Sequence, residues 1–327
     1  MTRILINGID GRLGARVAEL LSADQELTVI GLAQLRPPAP IGRAEILKAN
    51  LNGPQLVELL RAERIDVVVH LAFTGAERPA PSYEAAVQQN VIGSMLLLGA
   101  CATAGVKRVI VRSHTAVYGA HPLNPAFLRE DRPVMRDGAR GLIRDFVEVE
   151  QFMSEFGPRH PQLSLVPLRC APLIGAWSPL IEYLTQPSPR MLIGFDPCVQ
   201  LLHLEDAANA FALAARLDVN GPINLAAADV LCISQLILLA GQIPLALPEP
   251  LVSLALVLGN HEILGAWPFD LSFLRHGCLV DTDRASALLG WKPTYTAAES
   301  LRLLRMNEYA EPTSEQADEA LRAFLSR

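Results

Sequence analysis

The chain has 327 residues, half of them hydrophobic, with 34 acidic against 28 basic side chains and a net charge of −6. That balance excludes the broad basic surface a nucleic-acid or anionic-membrane binder needs, and the length suffices for one two-lobed unit with a large core. The basic residues are lopsided, 25 Arg against Lys48, Lys107 and Lys292, and the five cysteines (101, 170, 198, 232 and 278) are dispersed without C-x-x-C or Cys–His metal spacing. Such thiols fit the reduced core of a cytoplasmic protein with no metal site.

The chain enters a strand at once with "RILIN", lacking the basic segment, apolar core and cleavage site of an export signal. Near-continuous apolar runs at 4–7, 27–32, 67–72 and 109–113 read as strands covered on both faces, and helical periodicity covers 15–22, 54–63, 83–104 and 141–156. Strand–helix alternation at this spacing predicts βαβ units and an α/β, doubly wound parallel (Rossmann) sheet. From about residue 165 strands thin out and prolines become frequent. The expected division is a Rossmann domain over 1–165 and a smaller C-terminal substrate lobe over 166–327, with segments near 199–203 and 223–227 returning to the main sheet. Residues 230–248 carry no charge over 19 positions, close to a membrane span, yet they hold two Gln, a Gly and two Pro. A buried helix followed by an irregular segment accounts for them better, so no membrane partner is expected.

"ILINGIDGRLGARVAELL" sets Gly8, Gly11 and Gly14 after the first strand and at the mouth of a helix, with Arg12 and Leu13 between the last two. The first glycine permits the tight turn, the second a close approach of pyrophosphate to backbone, and the third close packing of helix on strand. Phosphate would rest on the free N–H groups of the helix N-terminus. Where an acid would hold the adenosine ribose, "VIGLAQLRPP" offers Ala33, Gln34 and then Arg36. Without the acid a 2′-phosphate is not repelled, and Arg36 either pairs with one or is a solvated loop residue. The expected cofactor is NAD(P), with a lean toward NADP.

By "HLAF" (70–73), "NVIGSMLLLGAC" (90–101), "VIVRSHTAVYG" (109–119) and "LGWKP" (289–293), the chain resembles the extended short-chain dehydrogenase/reductase family, in its NAD-dependent epimerase/dehydratase subgroup. "EDRP" (130–133), "PLRCAPLIG" (167–175) and "LLHLEDAANAF" (201–211) follow in the same order. The resemblance implies that Asn50 and Leu51 flank adenine, that Leu71, Ala72 and Phe73 line the ribose and pyrophosphate, that Asn90 braces the sheet, and that Ser113 lies near the nicotinamide. It also implies a homodimer paired through the helices at 83–104 and 141–156.

The family's chemistry uses a Tyr, its pKa lowered by a Lys one helical turn on, to move a proton at the substrate oxygen, which a Ser or Thr holds. At the matching positions this chain has Leu142, Phe146 and His114. There is no Tyr between Tyr118 and Tyr183 and no Lys between Lys107 and Lys292, so the pair is absent. Leu142, Phe146 and Val149 instead form an apolar helix face. His114 is then either a replacement acid/base, titrating somewhere around pH 5.5 to 7.5, or a neutral hydrogen-bonded filler. Ser113 retains a hydroxyl but should point to the other face of the strand. Tyr118 is either a reserve phenol or a packed loop anchor. Arg144 and Asp145 read as a surface ion pair, and His203 and Asp206 as structural. Arg169 reaches either an anionic substrate group or an acid at the lobe interface. The expected pocket, Phe73, Leu142, Phe146 and Arg169, suits a partly apolar small molecule. Two functions follow: an epimerase/dehydratase-like enzyme with a rebuilt site, or a non-catalytic nucleotide-binding sensor or regulator.

Overall fold

The computed structural model describes residues 2–33, 39–48, 55–77, 79–135 and 138–305. Strand β1 (Thr2–Asn7) passes through the glycine turn into α1 (Arg12–Ser22), and β2 (Leu27–Ala33) returns parallel to β1 with Ile4 opposite Val29. There follow β3 (Glu45–Lys48), α2 (Gln55–Ala62), β4 (Val67–His70), α3 (Tyr83–Val87), a π-helical turn over Gln88–Ile92, and α4 (Gly93–Ala104). Strand β5 (Arg108–His114), α5 (Gly141–Phe156) and β6 (Ser164–Cys170) complete this stretch.

The remainder holds β7 (Leu173–Ile174), α6 (Pro179–Thr185), β8 (Arg190–Leu192), β9 (Cys198–Val199), β10 (Leu202–His203), α7 (Leu204–Arg216) and β11 (Ile223–Leu225). It ends with β12 (Leu231–Cys232), α8 (Ile233–Leu239), β13 (Leu245–Leu247), α9 (Glu249–Val257), α10 (Asp283–Leu289) and α11 (Ala297–Arg305).

Seven strands form one parallel sheet in the order β11-β6-β5-β4-β1-β2-β3. The order reverses direction between β1 and β4, so a crevice opens at their carboxyl ends, where open α/β sheets bind ligands. Strand alternation divides the core in two. Ile4 and Ile6 face Leu13, Val17 and Phe211 on the α1 and α7 side, whereas Leu5 faces the side covered by α4 and α5, with Leu97, Phe146 and Val149. Both faces are therefore buried, which is why the strands read as unbroken apolar runs.

The lobe is built from three two-stranded ladders, β10-β7, β12-β9 and β13-β8. The expected division at residue 165 passes through β6, and β6, α7 and β11 all belong with the main sheet. The 223–227 segment does return to that sheet as β11. The 199–203 segment does not: its residues pair with β7 and β12 instead. The uncharged 230–248 stretch becomes β12, α8 and β13, with Ile233, Leu236 and Ile237 buried but Leu238 exposed. Among the described residues one helical stretch, Tyr83–Ala104, is long and apolar enough to cross a membrane; here it covers the sheet, with Leu97, Leu98 and Cys101 buried. Only Cys101 and Cys170 are core thiols. Cys198 and Cys232 are half-buried and face each other across the β9–β12 ladder with their Sγ atoms 3.6 Å apart.

Candidate functional site

Two of the three glycines are demanded by backbone contacts. Gly8 has φ +90°, and a Cβ there would lie 2.7 Å from the Ala72 nitrogen; one on Gly14 would lie 2.0 Å from the Gly8 carbonyl oxygen. Gly11 differs, because its Cβ would meet only the Glu77 carboxylate, at 3.0 Å. The same carboxylate accepts a hydrogen bond from the Leu13 N–H in the first turn of α1 (3.3 Å) and pairs with Arg112 Nη1 of β5 (2.7 Å). Arg12 is exposed beside them at the start of α1. A side-chain anion thus sits on the helix N-terminus where a phosphate is expected. Gln34, Arg36, Asn50 and Leu51 lie outside the described residues.

A buried polar chain fixes the crevice floor. Asn7 and His70 stand opposite each other at the ends of β1 and β4, and Asn7 Nδ2 is 2.8 Å from His70 Nδ1. His70 Nε2 is 2.8 Å from Ser94 Oγ, which in turn donates to the Asn90 carbonyl. Asn90 accepts from the Thr74 N–H (2.8 Å) and donates to the Thr74 carbonyl (3.0 Å) and to Asp145 Oδ2 (2.8 Å). It thereby ties the loop after β4, which carries Phe73 and Glu77, to α5. Burial lowers the His70 pKa to about 3, so its ring is neutral. Asp145 is not the surface acid expected from the sequence: it is 1% exposed and spends one oxygen on Asn90 and the other on Arg144. Register at the two strand ends was the signal for the Asn7–His70 pair.

Beyond that floor the site turns apolar. Phe146 is 2% exposed, with ring centroids 4.7 Å from Phe73 and 6.4 Å from His114. One cleft is lined by Leu142, Phe146, Arg112, Ser113, His114 and residues of the lobe. A second, sharing His114 and Phe269 with it, is lined by Trp267, Phe273 and Cys278. The Phe269 ring is 5.7 Å from His114 and 5.4 Å from Trp267. These lobe aromatics were not singled out from the sequence; their only signal was the density of aromatics in "WPFDLSF" (267–273).

His114 Nδ1 accepts the Ala116 N–H at 2.9 Å, which assigns the proton of the neutral ring to Nε2. Burial, reinforced by the Arg112 charge, pushes its pKa down to about 3. An imidazole so placed donates a hydrogen bond across the neutral range but does not change charge there. A lowered pKa favours the neutral, hydrogen-bonded one of the two expected roles over an acid/base titrating around pH 5.5 to 7.5.

Ser113, Tyr118 and Arg169 are drawn into one buried network rather than presented to a substrate. Ser113 lines the first cleft, but its Oγ donates to Glu150 Oε1 of α5 at 2.5 Å. Arg169 donates twice to Glu150 Oε2 (2.9 and 2.5 Å) and once to the Tyr118 hydroxyl (2.6 Å), with its guanidinium carbon 4.7 Å from the Tyr118 ring centroid. The Tyr118 hydroxyl donates to Asn224 Oδ1 of β11 at 2.8 Å. Burial raises the Tyr118 pKa to about 12 against the opposing Arg169 charge. Neither Tyr118 nor Arg169 lines the two clefts. The phenol is held between Arg169 and Asn224, and Arg169 pairs with Glu150 of α5 inside the main-sheet unit. His203 Nδ1 caps α7 by accepting the Glu205 N–H (3.2 Å), and Asp206 accepts the Thr294 and Tyr295 N–H groups (2.9 Å each).

Residues 4–226 match the NAD dependent epimerase/dehydratase family, and the chain belongs to it. An uncharacterized protein of Mycobacterium tuberculosis is 30% identical over 320 residues, covering 91% of this chain and 81% of the relative. UDP-glucose 4-epimerase of Azospirillum brasilense is 26% identical over 244 residues, 65% of this chain and 68% of the relative. Among solved structures, a Stenotrophomonas maltophila UDP-glucose-4-epimerase with bound NAD and formylated UDP-arabinopyranose superposes with a TM-score of 0.71 at 19% identity, covering 98% of this chain and 99% of that one. A UDP-glucuronic acid 4-epimerase of Bacillus cereus with bound NAD gives 0.69 at 17% identity, covering 95% of this chain and all of that one. At these identities the superpositions establish the fold.

Proposed function

We propose that this protein binds a nicotinamide dinucleotide at the glycine turn and a partly apolar small molecule in the clefts around His114, without the tyrosine–lysine proton relay of its family. The observation that carries the reading is His114 itself: it borders both clefts, its Nδ1 is committed to Ala116, and its ring is neutral. It serves as a hydrogen-bond donor that orients a ligand oxygen. Gly8, Gly11, Leu13 and Gly14 hold the dinucleotide, whose nicotinamide would supply hydride exchange. Leu71, Ala72 and Phe73 line it, and Arg36 favours NADP over NAD.

The non-catalytic reading, a sensor or regulator that reports nucleotide and ligand, is the better supported. Among the described residues lining the first cleft, Arg112 is the one permanent charge, and the other ionisable groups, His114 and Cys170, are held neutral by burial. The enzyme reading keeps one support: a neutral imidazole still polarises a carbonyl by donating a hydrogen bond to it.

Calorimetry with NAD and NADP, together with nucleotide-sugar epimerisation assays, tests the proposal. Binding with blank epimerisation is expected, since the missing relay contributes roughly a hundred- to ten-thousandfold. No heat with either nucleotide at millimolar concentration would sink it. His114→Asn, which still donates a hydrogen bond, should bind ligand much like the wild type, and His114→Ala should not. The exposed Tyr83, Ile92 and Leu96 on the 83–104 stretch support a homodimer through that face and α5, and a monomer mass by light scattering would contradict it.

A further inference from the structure

The Glu77 carboxylate bridges two donors that belong to different elements. One oxygen takes the Leu13 N–H of α1 and the other takes Arg112 of β5. It also stands where a side chain on Gly11 would point. Arg112 is 6% exposed, so its charge needs a counter-ion wherever the chain is folded. Two donors converging on one anion from a helix N-terminus and a buried guanidinium make a built anion seat, and a carboxylate is the group that fills it. A phosphate presents a similar pair of oxygens and suits a guanidinium and free N–H groups at least as well. Glu77 and a pyrophosphate cannot share the seat, because two anions in contact there would repel.

Resting on the cofactor reading above, we infer that Glu77 is an internal stand-in for the dinucleotide's pyrophosphate, and that Arg112 is a phosphate-binding residue whose partner is exchanged when the nucleotide enters. In the free protein Glu77 neutralises Arg112 and caps α1. On binding, the Glu77 side chain withdraws, and the pyrophosphate takes over the Leu13 N–H and Arg112. The cost of that withdrawal is subtracted from nucleotide affinity, so Glu77 sets the concentration at which the protein fills. This suits a chain that reports nucleotide level.

The experiment is calorimetric titration of NAD and NADP into wild type, Glu77→Gln, Arg112→Gln and the double variant, with melting curves alongside. Glu77→Gln removes the competing charge, so it should bind roughly ten- to a hundredfold more tightly than wild type. Its melting temperature should be lower without nucleotide, because Arg112 loses its counter-ion, and should rise more than that of wild type when nucleotide is added. Adding Arg112→Gln to Glu77→Gln should then cost roughly tenfold in affinity. If Arg112 merely props Glu77, the double variant binds like Glu77→Gln, and its role as a phosphate partner falls. Unchanged affinity in Glu77→Gln, with wild type binding, overturns the exchange while leaving the cofactor reading intact. If neither wild type nor Glu77→Gln binds, the cofactor reading itself has failed. Should Glu77→Gln not fold, Glu77→Asp keeps the counter-ion but is one methylene short of Leu13; it should tighten binding by a smaller factor, and unchanged affinity there counts against the proposal equally.

Discussion

The two ends of the crevice treat charge in opposite ways. At the glycine turn an anion, Glu77, accepts the Leu13 N–H of α1 and pairs with the buried Arg112, so the charges there satisfy each other. At α5, where the family's relay would sit, Leu142 and Phe146 leave an apolar wall, and the nearest ionisable ring, His114, is held neutral. The difference teaches that scaffold and chemistry are separable. Backbone contacts at Gly8 and Gly14 leave no room for a side chain at the first end, whereas the second packs well around Leu142 and Phe146 without the family's proton-transfer pair.

The comparison breaks most visibly at the buried network that ties β5, β6 and β11 to α5. Arg169→Met strands Glu150 as a buried, unpaired charge, and chemical denaturation should register a loss of about 3–5 kcal/mol. A loss below about 1 kcal/mol would show that Glu150 finds water or another partner. Next comes Gly11→Val, whose Cβ meets the Glu77 carboxylate before any backbone atom. The fold should survive by circular dichroism, while nucleotide affinity drops by roughly a hundredfold or more, measured by calorimetry. Loss of fold instead would place Gly11 with Gly8 and Gly14 as a packing residue.

Acid acts on both ends in the same direction, through His70 and His114. His70 and His114 have folded pKa values near 3 against an ordinary 6.5, so below about pH 6.5 the unfolded chain binds more protons than the folded one. Their contribution to stability is complete above that pH and is lost as pH falls toward 3. The slope should approach roughly 1.4 kcal/mol per pH unit for each ring. His114→Asn should remove its share of that slope between pH 6 and 4 in urea titrations; an unchanged slope would mean that His114 titrates normally. The smallest expected change is Tyr118→Phe. Deleting one hydroxyl between Arg169 and Asn224 should cost about 1–3 kcal/mol and leave ligand affinity unaltered. A fall in affinity would restore Tyr118 as a reserve phenol of the site.

Periodicity and glycine spacing were enough for the parallel sheet, the placement of α1, α4 and α5, and the absence of the Tyr–Lys pair, because these depend on residues close in sequence or on composition alone. The short edge strand β3 escaped notice, since its four residues include Glu45 and Lys48 and no apolar run marks it. Asp145 was misjudged because its spacing from Leu142 indicates a direction around α5 but not what that direction meets; Asn90, 55 residues earlier, draws it inside. The lobe aromatics around His114 could not be assigned for a related reason: Phe269 meets the ring from a segment with no motif.

What the sequence determined by itself was the fold, the glycine turn and the absence of the Tyr–Lys pair, all written in local pattern. Only the tertiary structure decided the surroundings that lower the His114 pKa, the commitment of Ser113, Tyr118 and Arg169 to one buried network, and the presence of Glu77 on the N-terminus of α1. Those outcomes depend on desolvation and on partners dozens of residues away, and the free energy of a buried charge is set by what surrounds it in space.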